Sequence, residues 1–356
     1  MGIPPSEPPS EVEPAALSPV TGLPERWASD LAGTPDPGDP EAAASAAKAG
    51  MEPAGALARV IAIVNQKGGV GKSTTAVSLG AALADLGHEV LVMDLDPQGN
   101  ASTGMGIRHM AREITTYEVL LSQAPMRDAI VETPVERLSA VPSTIDLAGA
   151  EIELVSQFSR ETRLMRSLEP IRRGGFHFIL LDCPPSLGLL TINALTAADE
   201  LIVPIQCEYY ALEGLGQLLR NVRLVQQNVN PRLRLSGIVL TMFDPRTRLS
   251  EQVVAEVRKY FGSRVYDTVI PRTVRLSEAP GYGQPITVYD PKSKGAKTYR
   301  ALAVEVAARH ADGDGVSTLG EMPDTITPSP TPPMDRERPG TGARRWRRLF
   351  RKGGQE

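Results

Sequence analysis

Cysteine is almost absent from this chain. Its 356 residues include two, Cys183 and Cys207. Two thiols at that spacing build neither a disulfide framework nor a cysteine-based zinc site, and such sparing use fits a reduced cytosolic compartment. No run reaches the ~18 apolar residues of a membrane-crossing helix. The amino terminus lacks the basic start and apolar stretch of a secretory signal. Positive charge is not in excess either: 38 Lys and Arg face 42 Asp and Glu, for a net charge of −4 and a pI near 5.8. A uniformly basic nucleic-acid binder is excluded, so any contact with DNA must come from a local patch.

Composition divides the chain. Residues 1–58 hold eleven prolines, nine acids and two bases, Arg26 and Lys48. So little apolar bulk cannot offset the entropy of ordering, and we expect an acidic, disordered extension whose stretch 23–32, around Trp27, is the part suited to docking. Residues 59–311 alternate apolar β-type runs (60–64, 89–94, 176–181, 200–204, 235–240 and 265–270) with helical patterns such as 74–86, 213–229 and 250–261. The runs are nearly continuous in apolar residues, as strands buried on both faces require. The alternation predicts an α/β domain, a mostly parallel sheet with helices on both faces. Residues 312–342 are rich in Pro, Gly, Ser and Thr and predict a second disordered linker. Residues 343–356 are basic, with Trp346, Leu349 and Phe350 on one face if helical.

Directly after the first run comes Lys67-Gly68-Gly69-Val70-Gly71-Lys72-Ser73-Thr74. It fits G-x-x-x-x-G-K-[ST] except that the first glycine is missing and a lysine stands at position 67. Strand before and helix after are the context this P-loop needs. Glycines let backbone N–H groups wrap phosphate oxygens, and the helix that follows turns its positive end to the anion. Lys72 supplies a charge to the β- and γ-phosphates, and the Ser73 hydroxyl is a magnesium ligand.

Two acidic elements follow. One strand ends Asp94-Leu95-Asp96-Pro97-Gln98-Gly99-Asn100; a carboxylate leaving a parallel strand at its carboxyl end points into the ligand crevice. Spacing alone does not choose between Asp94 and Asp96. A later run, Ile179-Leu180-Leu181-Asp182, has the form of a Walker B strand, with Asp182 holding magnesium through water. Cys183 beside it reads as a small buried residue.

The box K-G-G-V-G-K-S-T resembles the deviant Walker A motif of the ParA/MinD family. D-x-D-P-Q-G-N, D-L-A-G-A-E-I-E at 146–153, P-I-Q-C-E-Y-Y-A-L-E-G at 204–214 and I-P-R-T-V-R-L-S-E-A-P at 270–280 extend the resemblance over about 58–310 and resemble the chromosomal ParA/Soj branch. The resemblance implies an ATPase that uses ATP and Mg²⁺. It assigns the attacking water to Asp96, with Asp94 supporting the metal shell or the loop, and magnesium to Ser73, Asp96 and Asp182. It implies a homodimer in which Lys67 reaches the partner's phosphates, and adenine contacts at Met242, Pro271 and Arg272. It further implies non-specific duplex DNA binding through Arg246 and Arg275, a ParB-type partner that stimulates slow hydrolysis, and a cytoplasmic, nucleoid-associated protein that segregates a chromosome or plasmid. A MinD-like, membrane-surface ATPase is the alternative: the basic segment 343–356 suits an anionic membrane, DNA or protein, and the extension 1–58 suits a polar scaffold. An electron-transfer relative would need cysteines from two subunits to converge on a cluster, and neither Cys183 nor Cys207 is placed for that.

Overall fold

The computed structural model describes residues 57–107, 114–208 and 211–311. The acidic extension to residue 56, the linker and the basic carboxyl-terminal segment predicted from composition lie outside these residues. Within them the continuous apolar runs become the strands of one sheet: β1 (Arg59–Ile63), β2 (Val90–Asp94), β3 (Val131–Glu132), β4 (Leu138–Val141), β5 (Phe178–Asp182), β6 (Glu200–Gln206), β7 (Arg234–Phe243) and β8 (Val265–Pro271). Their spatial order is β3-β4-β2-β5-β1-β6-β7-β8. Every neighbouring pair is parallel except the edge pair β3–β4, which is antiparallel.

Alternation along each strand feeds two apolar layers. Val60 and Ala62 of β1 face one layer, Ile61 and Ile63 the other. The longer helices are α1 (Lys72–Asp85), α2 (Leu189–Ala197), α3 (Ala211–Asn228), α4 (Arg248–Phe261) and α5 (Lys294–Ala311). Helices α1 and α5 cover one face; α2, α3 and α4 cover the other. Helix α1 lies so close to the sheet that a Cβ on Gly80 would sit 2.8 Å from Cγ2 of Val92.

The chain leaves β1 for β2 on one side and later crosses from β5 to β6 on the other. β1 is therefore the topological switch point, and a crevice opens above the carboxyl ends of β1, β2 and β5. At the amino end of β1, Arg59 is clamped instead. Its Nε and Nη2 donate to Glu200 at 3.2 and 2.9 Å, and Nη1 donates to the Val306 carbonyl at 3.0 Å. Both side chains are almost fully buried. This ties the first strand to β6 and to the last helix.

Removing one partner of a buried pair strands the other charge. Glu200→Ala should therefore cost about 3–5 kcal/mol in urea unfolding followed by circular dichroism. The double replacement Arg59→Met/Glu200→Leu should cost much less than the single change.

Candidate functional site

After Ile63 the backbone turns through residues 64–71 into α1. Gly69 and Gly71 have φ of 74° and 90°, where a Cβ would be strained. Gly71 is the N-cap of α1, and no side chain caps that end, so the first N–H groups of the helix stand available to an anion. The loop is braced from outside. Asn65 donates through Nδ2 to the Pro204 carbonyl at 2.7 Å, and its Oδ1 accepts from the Lys67 N–H at 2.9 Å. The Thr241 hydroxyl on β7 donates to the Val70 carbonyl at 2.8 Å. Lys72 is buried, and its ammonium donates to the Lys67 carbonyl at 3.3 Å. Burial draws its pKa down, against the opposing charges of Asp182 and Asp96. Lys67 points outward, about half exposed, and pairs with Glu208 at 2.7 Å.

Strand register sets the acids. Asp94 of β2 is level with Asp182 of β5, which is level with Ile63 of β1, the residue before the loop. Both carboxylates are fully buried. That of Asp94 is occupied by its own turn: it accepts from the Asp96 N–H at 3.1 Å, the Ser102 N–H at 2.8 Å and the Ser102 hydroxyl at 2.7 Å. Burial nevertheless pushes its pKa up to about 6. Neither oxygen of Asp182 has a hydrogen-bond partner. Burial pushes this acid's pKa well up and the Asp94 charge adds to that; the Ser73 hydroxyl is near enough to temper the shift without closing a hydrogen bond. Asp96 is nearly buried, and its Oδ1 accepts from the Gln98 N–H at 3.0 Å. Cys183 is buried behind Asp182, and burial pushes its thiol well up; that of Cys207, also buried, rises to about 12.

The structure thus gathers Lys67 to Thr74, Asp94, Asp96 and Asp182 around one crevice. Among the described residues no three His, Cys, Asp or Glu side chains form a metal cluster; the donors toward a cation here are one hydroxyl and the unpartnered carboxylate.

The other predicted residues line the same carboxyl edge of the sheet. Met242 sits next to the brace Thr241 at a φ of 54°, unusual for a side-chain residue. The Arg272 N–H donates to the Phe243 carbonyl at 2.9 Å, joining the ends of β7 and β8. Pro271 is buried and Arg272 exposed. Arg246, 87% exposed, holds Asp244 through Nε and Nη2 at 2.9 and 2.8 Å, which keeps that acid's pKa at about 2. Arg275 bonds Glu278 at 3.2 Å and Asp290 at 3.5 Å.

Sequence reasoning missed the braces. Asn65 and Ser102 lie beside the motifs and were legible as local side-chain caps. Thr241, Glu208 and Glu151 come from distant segments; Glu151 and Glu208 fall within the blocks 146–153 and 204–214, but their spacing does not say what they touch. The Glu151 carboxylate accepts from the Leu189 and Leu190 N–H groups at 3.2 and 3.4 Å, capping α2 just past the Asp182 loop.

Residues 58–235 match a family model described as an AAA domain. Over 252 residues the chain is 58% identical to the sporulation initiation inhibitor protein Soj of Bacillus subtilis, spanning 71% of this chain and 99% of that protein. It is 54% identical over 255 residues to the chromosome partitioning protein ParA of Caulobacter vibrioides, spanning 71% of this chain and 96% of that protein. Among solved structures it is similar to one titled cobyrinic acid a,c-diamide synthase of Mycobacterium smegmatis with bound ADP and magnesium. The TM-score is 0.64 and the identity 40%, with 76% of this chain and 100% of that chain covered.

The buried acids give a pH signature. An acid whose pKa is raised on folding adds its stability in full below the unfolded value and loses it as pH rises through the folded value. For Asp94 that window runs from 3.8 to about 6, and Asp182 shifts in the same direction. Asp182→Asn should match the nucleotide-free native protein in thermal unfolding at low pH. It should become the more stable by on the order of 1–2 kcal/mol, a few degrees, as pH rises.

Proposed function

The chain belongs to the Soj/ParA family of chromosome-partitioning proteins, and from that premise we propose that it is a partition ATPase in which ATP joins two copies and so switches on DNA binding. The observation that carries the reading is Asp182: a buried carboxylate with no hydrogen-bond partner, level with the phosphate loop and facing Lys72. Such a group is costly until a cation arrives with its anion, and an unpartnered acid beside an uncapped, glycine-turned helix end fits magnesium with a triphosphate.

In this reading residues 68–74 cradle the phosphates through their N–H groups, and Lys72 pairs with the β- and γ-phosphates. Ser73 and Asp182, with Asp96, would hold magnesium, which when bound neutralises charge developing on the transferred phosphoryl group. Asp96 orients the attacking water; Asp94, already committed to Ser102, keeps the turn that aims it. Met242, Pro271 and Arg272 flank the adenine. The M. smegmatis structure bears the name of a diamide synthase, but relatives of higher identity, matched over nearly their whole length, are named a chromosome partitioning protein ParA and a chromosome-partitioning ATPase Soj.

Lys67 is the residue that senses a second copy. It is half exposed and, among the described residues, its ammonium pairs with an exposed acid, Glu208; a surface pair of that kind is worth about 0–1 kcal/mol and is readily exchanged for a partner's phosphate. The DNA edge follows the same logic. Arg246 and Arg275 are each balanced by nearby acids, and Arg248 and Arg272 are exposed and add positive charge nearby. One copy offers few free charges, and pairing doubles them on one rigid face. A ParB-type partner then accelerates hydrolysis, which separates the copies and releases nucleoid DNA in the cytoplasm.

Light scattering with saturating ATP and Mg²⁺ should report a dimer for Asp96→Ala. Lys67→Ala should retain nucleotide and remain monomeric. A monomeric Asp96→Ala protein at saturation sinks the reading. In co-sedimentation with duplex DNA, Lys72→Ala should fail with every nucleotide. Arg246→Glu should bind ATP as the native protein does and lose at least tenfold in DNA affinity. Native binding should weaken linearly in log–log salt plots, as counterion release demands.

A further inference from the structure

On the face of the sheet covered by α2 lies a cavity of about 510 Å³. It opens between the segment around Met126 and the helix Arg163–Leu168, with Ile171 at its base. Three arginines line it, Arg127, Arg163 and Arg166, and no acid does. Arg163 is spent on neutral acceptors, the Leu120 and Leu121 carbonyls at 2.7 and 3.1 Å and Gln157 Oε1 at 2.8 Å. Its charge is therefore uncompensated, and its Nε is buried without a partner. Arg127 and Arg166 are exposed and have no ion-pair partner among the described residues. Phe158, 95% exposed, stands at the rim. A site that is cationic and half apolar suits an acidic segment bearing aromatic or aliphatic side chains.

The chain itself supplies such a segment beside this cavity. Ala58, where the fold begins, bonds both ways with the residue after Ile171: its N–H donates to the Arg172 carbonyl at 2.8 Å, and Arg172 Nη2 donates to its carbonyl at 3.3 Å. The residues before Ala58 therefore join the described structure next to Arg172, one residue past the cavity's Ile171. Those residues carry nine acids against two bases, and within them Leu23, Trp27 and Leu31 alternate with Glu25 and Asp30. We propose that residues 23–32 of the same chain seat in this cavity, the apolar side chains against Phe158, Met126 and Ile171, and the acids against Arg127 and Arg166. The intervening tether of roughly 25 residues reaches about 25–30 Å as a flexible coil and holds the segment at an effective concentration near the millimolar range. The seat also touches the nucleotide machinery. Asn193 of α2 accepts from the Leu164 N–H on the cavity's helix at 3.1 Å, and α2 begins just past the Asp182 loop.

The chain's two tryptophans, Trp27 and Trp346, both lie outside the described residues, and the full-length Trp346→Phe protein reports on Trp27 alone. Its fluorescence should be blue-shifted, and acrylamide quenching should be at least twofold weaker than in the same protein carrying Arg127→Glu and Arg166→Glu. Both substitutions fall on exposed side chains, so circular dichroism should be unchanged. About 1 M salt, where the Debye length is about 3 Å, should also release Trp27. Adding Glu25→Arg and Asp30→Arg to the doubly reversed protein should restore the protection. Equal quenching in all of these forms overturns the proposal, and so does protection that appears only with rising protein concentration, which would put the segment in a neighbouring molecule or partner.

Discussion

Two buried carboxylates in register on neighbouring strands are the constraint around which this domain is organised. Asp94 and Asp182 end β2 and β5 at the same level, and each is fully enclosed. The fold resolves one and leaves the other. Asp94 is satisfied by Ser102 and the Asp96 N–H, which fixes the turn after β2. Asp182 keeps two unpartnered oxygens. Stability is thus withheld at one atom pair and becomes available to whatever ligand supplies the missing charge. The rest of the architecture serves that asymmetry. The switch point puts the loop after β1 next to Asp182, with Asp94 one strand further on, α1 aims its positive end there, and the Arg59–Glu200 clamp holds the opposite end of β1.

The second theme is charge that is present and already spent. Lys67, Arg246 and Arg275 are exposed cations, and each is paired with a nearby carboxylate. Single surface pairs of this kind are weak, so they do not lock the surface; they set a threshold. A lone phosphate competes poorly, whereas several phosphates presented together by a nucleotide or a duplex replace the local acids in concert. This distribution reconciles an acidic protein with the DNA binding proposed for it.

Legibility in the sequence followed burial. Central strands were readable because burial on both faces leaves no polar interruption; the predicted run 60–64 differs from β1 by one residue at each end. The antiparallel edge was not readable: β3 has two residues and β4 four, too few for any period. Helices α1 and α4 begin two residues before their predicted starts, with Gly71 and Thr247 as their N-caps. In the site, the phosphate loop and Asp182 were visible as local spacing. Asp94 and Asp96 were equivalent by spacing, and only the fold shows Ser102 occupying the first. Thr241, Glu208 and Glu151 act across long separations, and membership of a recognisable block does not reveal which distant atoms they hold.

Burial of the two thiols has a practical consequence. Cys183 and Cys207 are enclosed and resistant to ionisation, and it is the thiolate that reacts with alkylating agents. The native chain is therefore its own silent background. A single cysteine engineered on an exposed rim would take a maleimide dye or spin label selectively, without first replacing either natural cysteine beside the phosphate crevice.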